Sequence, residues 1–457
     1  MGVNLFLASL TGSWIGGPVL SPLIAALGGD GHRRARHMGR RTPHQPYDRR
    51  RRPARRFSPR RLIQRKARAG SGGYGFAMEN LDHLKALGLF DRRVPRYTSY
   101  PSAPVFTRAI GAAFHEDRLR ALDPAIPVSV YVHIPFCERL CWFCACHTQR
   151  TRTLRPVMAY LGTLEAELAL MAERLPEGIR IGRLHWGGGT PTILPPHLIH
   201  RLARAIKAVI PPADDWEFSV EIDPTMVDDA KIRATSEEGM NRASIGIQDL
   251  SPDVQDAIGR VQSFEATEAG VTALRAAGIG SLNADLVYGL PHQDVAKIAA
   301  SVDKGLTLNP DRAALFDYAH VPHMAKRQVL IDEGALPGDA ERRARATTAA
   351  LMFARAGCGA VGIDHFAKPD DGLSRAAAAR TLRRNFQGYT GDGCETPLGL
   401  GASSISRFAV RGSRRVMCRT PAPRRPKTSA SKPARWPAIA ATPTLRTTAC
   451  APARSKC

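Results

Sequence analysis

Four cysteines fall within ten positions, Cys137, Cys141, Cys144 and Cys146, in the stretch YVHIPFCERLCWFCACHT. The first three form C-x3-C-x2-C directly after an apolar, β-branched run, YVHIP. Three soft thiolates on one loop suit three irons of a cubane iron–sulfur cluster, leaving a fourth iron open to a substrate or cofactor. A closed zinc tetrahedron is the competing reading, with Cys146 or His147 as fourth ligand. Zinc ribbons pair two knuckles, however, and no second C-x2-C follows downstream. A disulfide framework suits small secreted domains and fits a 457-residue chain less well. Spacing alone therefore supports a three-thiolate metal site in a reducing compartment, with the cytoplasm as the expected location.

The elements that must carry such a loop are legible around it. Apolar, β-rich runs recur as PVSVYVHI (127–134), IGRLHW (181–186), EFSVEI (217–222), RASIGI (242–247), LNADLVYGL (282–290) and AALFDYA (313–319). Between them lie amphipathic segments such as 157–175, 196–210 and 264–278. Strand–helix alternation predicts a parallel sheet with crossover helices. Six units suit an α/β fold, an incomplete (β/α)6 barrel whose site gathers at the C-terminal strand ends. GAVGIDHF (359–366) predicts one more short strand after a helix near 340–356.

A formal charge of +24 first suggests a nucleic-acid binder. Its distribution argues otherwise. Residues 32–70 carry 16 Lys or Arg against Asp48, and residues 408–457 carry 12 with no acid. Setting aside those +15 and +12 charges and Asp30, residues 71–407 net −2. The apolar N-terminus has no positive residue ahead of it and is broken by Gly16, Gly17, Pro18 and Pro22, so neither a signal peptide nor a membrane span is expected. Residues 1–77 read as a disordered extension, not necessarily native, with Met78 as the working start. After Phe408 the helical and strand periods vanish, and 408–457 reads as an irregular basic tail. Its Arg-rich composition is that expected of an out-of-frame translation of a GC-rich gene.

Cys137, Cys141, Phe143 and Cys144 together read C-x3-C-x-aromatic-C. This resembles the signature of radical S-adenosylmethionine (SAM) enzymes, in which SAM chelates the open iron and the aromatic lies near its adenine. Further blocks sharpen the resemblance: RYTSYP (96–101), LHWGGGTPT (184–192), VEIDP (220–224), IGIQD (245–249), DLVYGLP (285–291), NPDR (309–312), YAHVP (318–322), GIDHFAKPDD (362–371) and RRNFQGYT (383–390). In this order, over roughly 90–407, they resemble the oxygen-independent coproporphyrinogen III oxidase family.

The resemblance implies a [4Fe–4S] cluster on Cys137, Cys141 and Cys144, with Cys146 outside the ligand set. It implies two SAM molecules. Tyr131, Gly188, Glu221 and Ile405 match contacts to the first; Phe143, Gly189, Thr190, Gln248, Arg260, Asp285 and Ala319 match contacts to the second. The expected reaction is one-electron cleavage of SAM, hydrogen removal from a propionate β-carbon and loss of CO2. Repeated on two propionates, it converts coproporphyrinogen III to protoporphyrinogen IX for haem synthesis. No protein side chain is assigned as the catalytic group, because the SAM-derived radical does that work. A reduced electron-donor protein is the expected partner, with no specific nucleic acid, no membrane and a monomeric enzyme.

The residues have plainer readings too. Glu221 alone reads as an ion-pair partner, Arg260 as a solvated helix residue, and Asp285 as an internal hydrogen-bond partner. His133, His185, His320 and His365 sit at strand ends and read as hydrogen-bonded core residues, or as proton contacts around a mouth. Cys358 and Cys394 read as ordinary thiols. Haem-binding chaperone relatives share the cluster motif and barrel, but Cys146, RYTSYP and RRNFQGYT favour the enzyme. The family continues beyond GASSIS into a helical C-terminal domain that helps cover the substrate. Here the basic tail follows instead, so an inactive truncated product is the other alternative, with 78–407 as the expected core.

Overall fold

The computed structural model describes residues 83, 85–88, 112–410, 414–419 and 440–441. The expected extension 1–77 and the block RYTSYP lie outside the described residues. Six strands alternate with helices as expected: β1 (Val128–Ile134), β2 (Ile181–Gly188), β3 (Pro212–Ile222), β4 (Arg242–Gln248), β5 (Ser281–Tyr288) and β6 (Arg312–Asp317). Each pairs in parallel with the next, in sequence order. All seven residues of β1 are buried, as a strand covered on both faces must be, which explains its unbroken apolar run.

The crossover helices cover the outside. In α1 (Arg155–Ala172), Val157, Leu161, Leu164 and Leu168 face the sheet. In α2 (Pro196–Val209), Leu198, Ile199, Leu202, Ala203 and Ile206 form one stripe at helical spacing. Each such Leu or Ile contributes roughly 1.5–3 kcal/mol by leaving water. Helix starts are set locally. Asp228 caps α3 (Asp229–Glu237), Ser263 caps α4 (Phe264–Ala276) and Asp294 caps α5 (Val295–Thr307), each side chain accepting a backbone N–H three residues on. Such a cap is worth about 1 kcal/mol. A further helix, α6, spans Asp339–Arg355.

Three details differ from the sequence expectation. The single strand expected at 359–366 is a hairpin, β7 (Gly359–Val361) antiparallel to β8 (His365–Ala367). Gly362 in its turn has φ +64°, which breaks the run. Second, Pro397–Leu400 forms β9 and adds in parallel to the free side of β1. The nine-stranded order is therefore β9-β1-β2-β3-β4-β5-β6-β8-β7, an incomplete barrel whose two end strands do not meet. Strand pairing also continues past Phe408, where irregular chain was expected. Ile405–Val410 runs antiparallel to Arg414–Arg419, because backbone pairing needs no apolar alternation. Ala440–Ala441 pairs in turn with Cys418–Arg419, and the rest of the tail lies outside the described residues. No helix among the described residues is long and apolar enough to cross a membrane.

Candidate active site

The cysteine loop leaves the end of β1 and is tied at its neck. Phe136–Cys137 pairs in parallel with Gln149–Arg150, and Thr151 N–H donates to the Cys137 carbonyl at 3.0 Å. Inside the loop, Trp142 N–H reaches the Ile258 carbonyl at 2.9 Å. Gln328 braces it from below, its Nε2 donating to the carbonyls of Phe143 (2.9 Å) and Ala319 (3.0 Å). The loop's main chain is therefore held by three other segments of the fold.

A cavity opens at the C-terminal strand ends, with about 740 Å³ of empty space including its mouth. Cys137, Cys141 and Cys144 line it, together with Phe143, Gly188, Gly189, Thr190, Glu221, Gln248, Arg260 and Asp285. Eleven of the fourteen residues implied by the resemblance thus share one cavity. Tyr131, Ala319 and Ile405 do not line it. Tyr131 is wholly buried behind it, its ring stacked on His185 at 5.7 Å and packed with Ile405 and Phe386. Ala319 packs against Ala145 of the cysteine loop.

The three glycines of WGGGTPT each have a protein neighbour. A Cβ on Gly187 would stand 2.8 Å from the Glu221 carboxyl, and one on Gly188 would stand 2.5 Å from the His133 ring. Gly188 also has φ +108°, closed to other residues. Gly189 lies against the backbone of Ile134 and Phe136, and its N–H donates to the Ile134 carbonyl at 2.8 Å. The turn therefore brings the ends of β1 and β2 together under the cavity.

Glu221 is held by this turn. It accepts the Gly188 N–H at 3.1 Å and meets His185 Nε2 at 3.3 Å. Burial works against its charge, but His185 and the Gly188 N–H outweigh it and keep the carboxyl below its usual range. On the opposite wall Arg260 donates to the Gly246 carbonyl at 2.9 Å, lies 3.6 Å from Cys141 Sγ and pairs with Asp223 at 3.3 Å. Burial opposes its charge too, yet Asp223 and Cys141 hold the guanidinium firmly protonated. Arg260 is not the solvated helix residue that its plainer reading suggests.

The thiols differ among themselves. Burial pushes Cys137 up to about 12, helped by Cys144. Burial also raises Cys141, with Arg260 pulling the other way. Cys144 is drawn down by hydrogen bonding from Cys146, whose backbone N–H lies 3.4 Å from its sulfur. Among the described residues, no three His, Cys, Asp or Glu side chains converge on a single-ion position. The three sulfurs line one cavity wall, where one thiolate per iron of a cluster could bind.

Gln248 gives a second sign of fit. It sits at φ +66° and lines the cavity, and its buried Oε1 has no hydrogen-bond partner among the described residues. A buried orphan acceptor at a strained position marks a place where a ligand donor belongs. Asp285, by contrast, accepts from Ser244 at 2.8 Å and Asn283 at 2.7 Å. None of the four strand-end histidines lines the cavity. His133 meets the His147 carbonyl, His185 Glu221, His320 Glu333 and His365 Asp364. Cys358 and Cys394 are buried free thiols.

The cavity also holds residues that the sequence reading did not single out, including Asp223, Ser244, Gly246 and Arg327. Asp223 and Gly246 lay within quoted motifs, so their strand-end positions were a usable signal. Arg327 was not detectable: it arrives from the 3-10 helix Lys326–Leu330, about 180 positions later, and donates to the Cys146 carbonyl at 3.0 Å and Thr148 Oγ1 at 2.9 Å.

Comparison with known proteins agrees with this geometry. Residues 131–304 match the model of the radical SAM superfamily. A coproporphyrinogen III oxidase, anaerobic 1, of Cereibacter sphaeroides is 66% identical over 331 residues, 72% of this chain and 73% of the relative. An oxygen-independent coproporphyrinogen III oxidase of Paracoccus denitrificans is 55% identical over the same shares. The solved structure of coproporphyrinogen III oxidase from Escherichia coli, described as a radical SAM enzyme, matches with a TM-score of 0.68 and 36% identity. That match covers 73% of this chain and 75% of the other.

Proposed function

This chain belongs to the oxygen-independent coproporphyrinogen III oxidase family of radical SAM proteins, and from that premise we propose that it decarboxylates two propionates of coproporphyrinogen III to vinyl groups. The product is protoporphyrinogen IX. The observation that carries the reading is the single cavity shared by three cysteine thiols, the Gly188–Gly189 turn and the Glu221 carboxylate at the C-terminal strand ends. A [4Fe–4S] cluster and SAM, which the family uses, supply one-electron chemistry that an all-protein site lacks.

Cys137, Cys141 and Cys144 would hold the cluster. The buried Arg260 and the half-buried Arg327 sit beside the sulfurs and favour their ionised forms. The Gly187–Gly189 turn would receive the amino group of the first SAM, with the ionised Glu221 beside it. Phe143, buried on the same wall, offers an apolar face to an adenine. Gln248, Arg260, Thr190, Gly189 and Asp285 form the remaining wall, where a second SAM fits our reading; Ala319 would act from behind. Tyr131 and Ile405 would support the first SAM from the packed layer beneath. The protein's part is to position these groups and to exclude water from the reacting centre.

The core at 78–407 is proposed to act as a monomer in the cytoplasm, with a one-electron carrier protein as donor. The test is anaerobic reconstitution with iron and sulfide, followed by assay of SAM-dependent CO2 release from coproporphyrinogen III. Wild type should show a charge-transfer band near the visible range and release CO2, and a Cys141→Ala variant should do neither. A Cys141→Ala protein that retained both would overturn the ligand assignment. Haem binding without CO2 release would favour the chaperone reading. Deleting 1–77 should leave activity unchanged.

A further inference from the structure

A second, open groove lies on the outer side of the cysteine loop, with about 1040 Å³ of empty space including its mouth. Arg139 and Arg327 line both this groove and the inner cavity, so the wall between them is the loop carrying Cys141 and Cys144. Trp142, between those two cysteines, forms part of the groove floor.

Two features set this surface apart. Val261 is 61% exposed and Leu330 56%, with Val329 beside it at 70%, so three of the eight large exposed hydrophobic residues among the described ones cluster here. Around them stand three guanidiniums, Arg139, Arg150 and Arg327, against a single lining acid, Asp256. Arg139 and Arg327 are anchored inward, to the Val261 carbonyl at 2.7 Å and the Cys146 carbonyl at 3.0 Å. Arg150 is exposed. This concentration of cations stands out on a body that nets −2 over residues 71–407.

We propose that this groove is the docking surface for the one-electron donor, a small acidic carrier protein. The inference rests on the radical SAM reading above, since only a redox cluster gives the loop an electron to receive. The carrier gives up one electron and the cluster takes one; no bond or proton is exchanged. Apolar contacts ringed by Arg suit a partner that is acidic around an apolar centre, and charge complementarity raises the encounter rate. Redox encounters are also small, burying less than about 1,200 Å².

The experiment uses the full-length, cluster-loaded protein and flavodoxin as the acidic carrier. Binding of oxidised flavodoxin is measured directly, and SAM cleavage is driven in parallel by reduced flavodoxin or by dithionite, which needs no docking surface. Val261→Glu combined with Leu330→Asp should weaken flavodoxin binding about tenfold or more and slow flavodoxin-driven cleavage to match. Dithionite-driven cleavage should stay within about twofold of wild type, and the distant exposed substitution Leu351→Asp should change neither. Unchanged flavodoxin affinity in the double variant would overturn the proposal. A raised KM for coproporphyrinogen III with dithionite would overturn it as well, by making the groove a substrate surface. Absence of dithionite-driven cleavage in wild type would instead sink the functional reading, while the binding measurement still decided the surface.

Discussion

Buried charge occurs at both ends of the same strands, and the two ends use it differently. Toward the N-terminal ends, Arg312 meets Asp371 at 2.7 Å, and Glu217 meets Arg242 at 3.2 Å and Arg183 at 3.8 Å. Burial draws Arg312 down to about 10, with Arg242 adding to it. It also works against the charge on Glu217, but Arg242, Arg183 and Arg312 together hold that carboxyl below its usual range. Every one of these charges answers another within the fold. At the C-terminal ends the polar groups face a cavity, with Gln248 Oε1 unpartnered and three thiols exposed to the same space. Buried polarity that is internally paired specifies structure, whereas buried polarity aimed at empty space anticipates a ligand.

Substitutions at the two ends should therefore separate stability from function. The largest effect is expected at the mouth. Cys137→Ala should reduce iron content and activity to background while leaving the unfolding midpoint of the cluster-free protein within about 0.5 kcal/mol of wild type. A large loss of stability in that variant would erase the distinction. Next comes the floor, where Arg312→Leu leaves Asp371 buried without its partner. That should cost about 3–5 kcal/mol in denaturant unfolding, and adding Asp371→Leu should restore much of it. A smaller effect is expected for Glu221→Gln, which keeps one acceptor for the Gly188 N–H but loses the negative charge. KM for SAM should rise about 10–100-fold with little change in melting temperature.

The smallest is a pH effect at the floor. The Glu217 carboxyl is depressed in the folded state, so its contribution is present above the unfolded value of about 4.3 and is lost as pH falls through that value toward the folded one. Unfolding midpoints measured across this acid range should fall less steeply in Glu217→Gln than in wild type. Equal slopes would show that the floor charges do not act as a paired set.

The comparison also shows why the site was easier to foresee than its surroundings. The C-x3-C-x2-C spacing and the Gly-rich strand end are local, and both fell where the motif order implied. The hairpin at Gly359–Ala367 was read as one strand because Gly362 looks like any other glycine until its φ is known. The family resemblance implies cofactor contacts at Tyr131 and Ile405, whereas the structure buries both in a packed layer with Phe386. Arg260 had the opposite fate, an ordinary-looking arginine that folding delivers to Cys141.

What the sequence determined by itself was everything carried by short-range periodicity and spacing. That includes six strand runs, the main crossover helices, three thiols on one loop and the segregation of basic charge into the ends of the chain. The tertiary structure decided what depends on approach between distant segments: Arg260 and Arg327 beside the thiols, β9 against β1, and the cationic apolar groove behind the loop. The physical reason is that spacing fixes which side chains share a face of one element. Which elements meet is fixed by burial summed over the whole chain, and no local stretch records that sum.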